Sequence, residues 1–279
     1  MQLSYFISDS DFKTISSIVY DATGIVLKIN KKNLVISRLI KRLNTLGIPN
    51  FREYVDLLDD PLFFNKELPY IVNCLTTNTT NFFREPHQFE ILKKILPSIL
   101  EYGNKKNCHN LRIWSSACST GEEPYTIAMV LSECMEYIRG WNVQILSTDI
   151  DSDVLSRASK GVYEPERMKN VPQNYLNKYF NRVKTYHGEG YKISDNIRKM
   201  IIFRQVNLIN DTFKFNSPVD IIFCRNVVIY FDDIGKQKLM NKFIEVLRSG
   251  GYFFLGHSET LLLYGKQFKF IESAVYQKA

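Results

Sequence analysis

The sequence predicts an α/β protein: a helical N-terminal domain, then a doubly wound, Rossmann-like domain carrying a small antiparallel β insert. Three observations predict it. Residues 1–75 place apolar side chains at helical spacing and break at turn-forming sequences. From Leu111 onward, apolar runs of strand length alternate with stretches of helix length, the pattern of a mostly parallel sheet. The composition, 45% hydrophobic and 23% charged over 279 residues, excludes a disordered chain, a collagen and a coiled-coil rod. At roughly 100–200 residues per domain, that length allows about two domains.

The first helices are expected at Asp9–Tyr20, Lys31–Leu46, Phe51–Leu58 and Leu62–Cys74. Gly24, Gly47-Ile48-Pro49 and Asp60-Pro61 supply the breaks between them. A polar stretch, Thr76–Asn81, leads into a helix around Pro86–Tyr102. Leu111–Ser115 then reads as a strand, Glu122–Glu136 as a helix, Val143–Thr148 as a strand and Ser152–Lys160 as a helix. A strand ending at Val206 follows, then strand Val219–Phe223, helix Asp233–Arg248 and strand Tyr252–Leu255. Residues 180–200, with tyrosine, glycine and alternation, read as the antiparallel insert, and Phe268–Ile271 with Ala274–Gln277 as a closing hairpin. The expected domains are therefore residues 1–75, a linker 76–90 contributing to the ligand site, and residues 91–279.

Lysine and arginine exceed the acidic residues by 36 − 29 = 7, which suits nucleic acid, a membrane surface or an acidic protein alike. Lys28, Lys31, Lys32, Arg38, Lys41 and Arg42 fall in one stretch with no acidic residue among them. Leu34, Val35, Leu39, Ile40 and Leu43 give that stretch an apolar helical face, so the basic face is either solvated or a docking surface. The longest apolar runs, such as Val219–Cys224, fall far short of a membrane span. The N-terminus lacks the basic-then-apolar layout of a secretory leader. Five cysteines without a CxxC, beside four histidines, fit neither a disulfide framework nor a zinc site. The N-x-T triplets at Asn78 and Asn210 then read as chance. A reduced, cytoplasmic protein without a metal is expected.

In doubly wound sheets, ligands bind at the carboxyl ends of the strands. The first strand ends in Trp114-Ser-Ser-Ala-Cys-Ser-Thr-Gly-Glu-Glu-Pro-Tyr125, in which Gly121 is the sole glycine. Thr120 and Glu123 match a capping box, a structural role for Glu123. Yet two carboxylates, Glu122 and Glu123, at a helix N-terminus would repel a pyrophosphate. A ligand with cationic groups, such as the ammonium and sulfonium of S-adenosylmethionine, fits better. Asp149, ending the second strand, is the candidate for the ribose hydroxyls, while Asp151 suits the cap of the next helix. Asn207 and Leu208 could hold adenine, and Arg225, Asn226 and Tyr230 lie just past the fourth strand. Cys224 reads as a small buried residue rather than a nucleophile. The linker Thr76-Thr-Asn-Thr-Thr-Asn-Phe-Phe-Arg-Glu-Pro-His-Gln-Phe89 either clasps a polar ligand, with Arg84 in the cleft, or simply joins two domains.

Taken in order, these segments resemble the chemotaxis receptor glutamate methyltransferases, the CheR family. TTNTTNFFREPHQF is similar to that family's TTNxTxFFRExxHF segment and IWSSACSTGEEPYTIAM to its cofactor loop. STDID, VNL, DIIFCRNVVIYF and GGYFFLGHSE follow in the family's order. The resemblance implies a class I methyltransferase domain that moves a methyl group from S-adenosylmethionine to glutamates in the cytoplasmic helical region of chemotaxis receptors, leaving S-adenosylhomocysteine. It implies cofactor contacts from Asn78, Thr80, Arg84, Ala117, Glu123, Asp149, Asn207, Leu208, Cys224, Arg225 and Asn226. Arg84 and Tyr230 match the positions nearest the transferred methyl. The basic residues from Lys28 to Arg42 would then face the receptor, with no nucleic acid partner and no membrane insertion. The insert near His187–Lys192 resembles a subdomain with which some members grip a receptor's C-terminal tether. Alternatives are a cofactor-binding adaptor without turnover, or a methyltransferase for another substrate; the absence of a DPPY-like tetrapeptide disfavours nucleic acid bases.

Overall fold

The computed structural model describes residues 6–186, 188–261 and 266–279. Helices α1 (Asp9–Thr23), α2 (Lys32–Leu46), α3 (Phe51–Leu57) and α4 (Pro61–Leu75) make the N-terminal unit. Their ends follow from local chemistry. Ser8, Asn50 and Asp60 cap α1, α3 and α4 by accepting main-chain N–H groups. Gly24 and Gly47 close α1 and α2 in the left-handed region. Phe12, Ile15, Leu39, Leu43, Phe51 and Ile71 pack into one core. Inside it sits Glu67, 1% exposed, gripped by the Arg42 guanidinium and by the Tyr54 hydroxyl at 2.9 Å.

Helix α5 (His87–Lys105) opens the second half. It is followed by β1 (Asn110–Ser116), α6 (Glu122–Glu133), the single turn α7 (Met135–Ile138), β2 (Asn142–Asp149) and α8 (Ser152–Lys160). Then come β3 (Val162–Tyr163), α9 (Gln173–Tyr179), β4 (Phe180–Thr185), β5 (Gly188–Ile193), α10 (Asp195–Arg198) and β6 (Ile201–Gln205). The chain closes with β7 (Val219–Cys224), α11 (Asp233–Val246), β8 (Leu247–Leu255), β9 (Phe268–Glu272) and β10 (Val275–Lys278). The main sheet runs β6-β2-β1-β7-β8-β10-β9, parallel from β6 through β8, with the β9–β10 hairpin antiparallel. Both faces are covered, as a parallel sheet requires. Ile113, Ile221, Phe223 and Phe254 face Phe89, Leu92 and Ile127 of α5 and α6. Their strand neighbours Trp114, Ile222 and Phe253 face Leu239, Met240 and Phe243 of α11.

The expected alternation is present, with shifted ends. The helix expected over Glu122–Glu136 stops at Glu133, because Cys134 leaves the helical region. Strand β8 begins at Leu247 rather than Tyr252. Gly250, at φ 70°, is therefore an irregularity within a strand, between Leu247 and Tyr252, rather than a break before one. The insert is a three-stranded antiparallel sheet, β3-β5-β4, of which sequence reading missed β3. The last part of the range expected for it, after β5 ends at Ile193, holds a helical turn, α10, instead of a strand. His187 lies outside the described residues. No helix among the described residues is long and apolar enough to cross a membrane.

Candidate functional site

The chain steps from β1 out to β2 and β6, then returns to β7 on the other side of β1, so a crevice opens between β1 and β7. The cleft found there holds about 1240 Å³, solvent at its mouth included. Its walls come from the linker Thr76–Asn81, the loops after β1, β2, β6 and β7, and Thr23 and Ile25 of the N-terminal half.

After β1, Ala117, Ser119 and Gly121 all adopt left-handed φ values of 56°, 51° and 93°. This tight loop turns the Ser119 N–H onto Asp149 Oδ2 at 2.8 Å, and the Asp151 N–H donates to Asp149 Oδ1 at 3.0 Å. Burial pushes the Asp149 carboxyl up to about 6 against those two main-chain donors, which work the other way. The expected capping box does not form. Gly121 occupies the cap position, and Thr120 donates to Glu122 Oε2 instead. Glu122 is fully buried on Arg167, and burial raises its carboxyl. Glu123 accepts from Ser115 Oγ at 2.7 Å and from Arg225 Nη1 at 3.0 Å on the cleft wall. One carboxylate, not two, therefore faces the ligand space.

The linker is part of the site. Phe82, fully buried, packs edge-on against Tyr163 and Phe180, with centroids 4.8 and 5.5 Å away. Asn78 donates its side-chain amide to Asp151 Oδ2 at 2.7 Å, while its main-chain carbonyl accepts from Ser119 Oγ at 2.9 Å. Asp151 also caps α8, as expected. Thr80 lines the cleft beside Asn78. Arg84 donates to Thr79 O at 3.1 Å and stands between the main cleft and a second groove lined by Phe83, Pro86, Lys93 and Tyr175.

Arg225 is buried and reaches Glu85 Oε2 at 3.1 Å as well as Glu123, while donating to the Arg84 carbonyl. Its Nε is buried with no hydrogen-bond partner among the described residues. Burial works against ionising Glu85, yet the Arg225 charge holds its carboxyl below the ordinary range. Tyr230 ends a one-turn helix, Val228–Tyr230, and its carbonyl accepts from Val26 N–H at 2.9 Å. An antiparallel bridge, Ile25 to Phe231, extends that contact. Leu208 and Asn226 line the wall. Asn207 lines it too, but its side chain is engaged: Oδ1 accepts from Ile209 and Asn210 N–H at 3.0 Å, and Nδ2 donates to Ala22 O at 2.6 Å.

Three expectations change. Cys224 does not reach the wall; it is fully buried in the core on the α11 side of the sheet, and burial pushes its thiol up. Arg38 and Arg42 are structural rather than outward-facing. Arg38 clasps the Leu75 and Thr76 carbonyls at 2.9 and 2.7 Å, and Arg42 holds Glu67. Lys32 pairs with Asp9, which leaves Lys28, Lys31 and Lys41 as the exposed bases of the face. Sequence reading also missed a cluster beside Arg225. His257 N–H donates to Glu85 Oε1 at 3.3 Å, and His257 Nε2 lies 2.6 Å from His87 Nε2. These residues are up to 172 positions apart, so no local pattern announces them.

Residues 78–277 match the family description "CheR methyltransferase, SAM binding domain", and residues 10–76 match "CheR methyltransferase, all-alpha domain". A chemotaxis protein methyltransferase of Borreliella burgdorferi is 39% identical over 278 residues, covering 99% of this chain and 96% of the relative. The Escherichia coli protein of the same description is 36% identical over 271 residues, covering 97% and 91%.

Proposed function

The chain belongs to the CheR methyltransferase family, and from that premise we propose that it methylates glutamate side chains of chemotaxis receptors, forming γ-glutamyl methyl esters. The observation that carries this reading is the charge layout of the cleft: Asp149 and Glu123 on its wall, with Arg84 and Arg225 beside them. These residues fit S-adenosylmethionine. Asp149 accepts two main-chain N–H groups and keeps acceptor capacity for ribose hydroxyls. Glu123 offers an acceptor to an ammonium. The orphaned Arg225 Nε supplies a buried donor suited to a carboxylate. Ile150, Val206 and Leu208 provide an apolar strip for adenine.

When bound, the cofactor supplies a methyl group activated by its sulfonium. The acceptor glutamate, with a reference pKa of about 4.3, is ionised at neutral pH and needs no base. What remains for the protein is in-line positioning and exclusion of water. Arg84, between the two openings, orients a carboxylate, and Tyr230, which lines the cleft, is the residue to donate a hydrogen bond near the methyl. The receptor segment is an acidic amphipathic helix. It meets Lys28, Lys31 and Lys41, and the exposed apolar residues Val26, Ile29 and Ile229. The setting is the cytoplasm. The test is incubation with labelled S-adenosylmethionine and a receptor cytoplasmic fragment. Base-labile label on glutamate is expected, and its absence under conditions where the cofactor binds sinks the reading.

A further inference from the structure

Glu259 lies in the turn after β8, where Glu259 N–H closes onto Gly256 O at 2.9 Å. It is 7% exposed, and no basic side chain pairs with it among the described residues. Its carboxylate is met by the main chain instead. Oε2 accepts from the Asn226 and Gly256 N–H groups, each at 2.8 Å, and Oε1 accepts from Ile229 N–H at 3.3 Å. Asn226 and Ile229 belong to the loop after β7, the segment that ends in Tyr230. That loop begins in the left-handed region, at Asn226 with φ 58°, a conformation asparagine tolerates better than most non-glycine residues. Gly256 makes the close approach possible. A Cβ there would fall 2.5 Å from Asn226 Nδ2 and 2.9 Å from Glu259 Oε2.

We infer that Glu259 is a positioning residue for methyl transfer, holding the Asn226–Tyr230 loop in the shape that brings Tyr230 to the cleft. This rests on the function proposed above. The Glu259 carboxylate takes hydrogen bonds from two points of this loop, Asn226 and Ile229, and so fixes the turn between them. An aspartate in its place is one methylene short and cannot span both Asn226 and Ile229. A glutamine keeps the reach but turns a donor toward main-chain N–H groups.

Two readouts test it in the full chain. The first is amide hydrogen exchange at Asn226, Gly256 and Ile229, which requires no substrate. Glu259→Gln should speed exchange there by about tenfold or more, equivalent to about 1.4 kcal/mol of local opening, with α5 and β1 unchanged. The second is single-turnover transfer to a receptor fragment. Glu259→Gln should slow it by about tenfold or more while S-adenosylhomocysteine affinity stays within about threefold. Combined with Tyr230→Phe, it should add little to the slower single variant, because both act through one hydroxyl. Gly256→Ala pushes on the same loop from the other wall and should reproduce the kinetic effect, which covers the case that Glu259→Gln does not fold. Unchanged exchange at the three amides overturns the anchoring. Fully additive rate losses overturn the action through Tyr230. A wild-type protein that transfers no methyl group would overturn the proposed function instead, leaving the exchange experiment to decide the anchor.

Discussion

Arg225 Nη1 lies 3.0 Å from Glu123 Oε2, joining the residue after β7 to the first turn of α6 across 102 positions. Both residues line the cleft, and Glu85 supplies the second acid on the same guanidinium. Glu123→Gln should therefore do two things at once. It should weaken S-adenosylhomocysteine binding by about 1.5–3 kcal/mol, the range for hydrogen bonds to charged groups. It should also lower the melting temperature, because a buried arginine loses one of its two counter-charges. Calorimetric titration and a thermal melt read the two separately; unchanged affinity would remove Glu123 from the cofactor site.

Asp149 makes cofactor affinity depend on pH. In the free protein its carboxyl titrates at about 6, above the unfolded value, because burial disfavours the charge. The sign follows. The free fold keeps this contribution to stability below about pH 4 and loses it as pH rises from about 4 to 6. Ribose hydroxyls donate to the ionised form, so binding favours loss of that proton. S-adenosylhomocysteine affinity should rise by up to about tenfold per pH unit until about pH 6, then level off. Titrations at pH 5, 6, 7 and 8 check this. Asp149→Asn should bind more weakly throughout and lose the pH dependence below 6.

Tyr230→Phe should slow single-turnover transfer by about 10- to 100-fold if its hydroxyl serves the transition state. Cofactor affinity should change little. Between pH 7 and 8.5 the wild-type rate should be nearly flat, since the acceptor is already ionised. His87 is a weakened base, because burial, with the neighbouring His257, holds its imidazole below the ordinary value. A titration near pH 7 that disappears in His87→Ala or His257→Ala would show that a histidine takes the proton after all.

The basic stretch should divide into two classes on mutation. Charge reversal at Lys28, Lys31 and Lys41 should raise the KM for the receptor fragment and flatten its salt dependence, with an unchanged melting temperature. Arg42→Ala should instead destabilise the fold by about 3–5 kcal/mol, because Glu67 would be left buried and unpaired. Equal effects from both sets in denaturation experiments would erase the distinction.

That division marks where sequence reading stops. Helical period placed α2 within a residue, and strand–helix alternation exposed the sheet, because both patterns are local. Asp151 was legible as the cap of α8, and Asp149 as the residue that ends β2, for the same reason: strand ends and helix starts are local features. Arg38 and Arg42 were not, since their partners lie 25 to 38 residues away on another helix and its exit. Glu123 was ambiguous because Thr-x-x-Glu fits a cap equally well; Gly121 at φ 93° settles the conformation, and no spacing reveals it. The Glu85–His87–His257 cluster and the grip of Glu259 on the loop after β7 join segments from different parts of the sheet. Only the folded chain brings them together.

The Ile25–Phe231 bridge and the Val26–Tyr230 hydrogen bond bear on how such a protein can be inherited. The helical half and the sheet half look like separable modules, yet Thr23 and Ile25 of the first line the cleft together with the loop of the second. A helical half taken from a distant relative arrives with its own geometry at that seam. Variation in what the helices recognise is thus tethered to variation in the loop that carries Tyr230, and the two halves can drift only as a matched set.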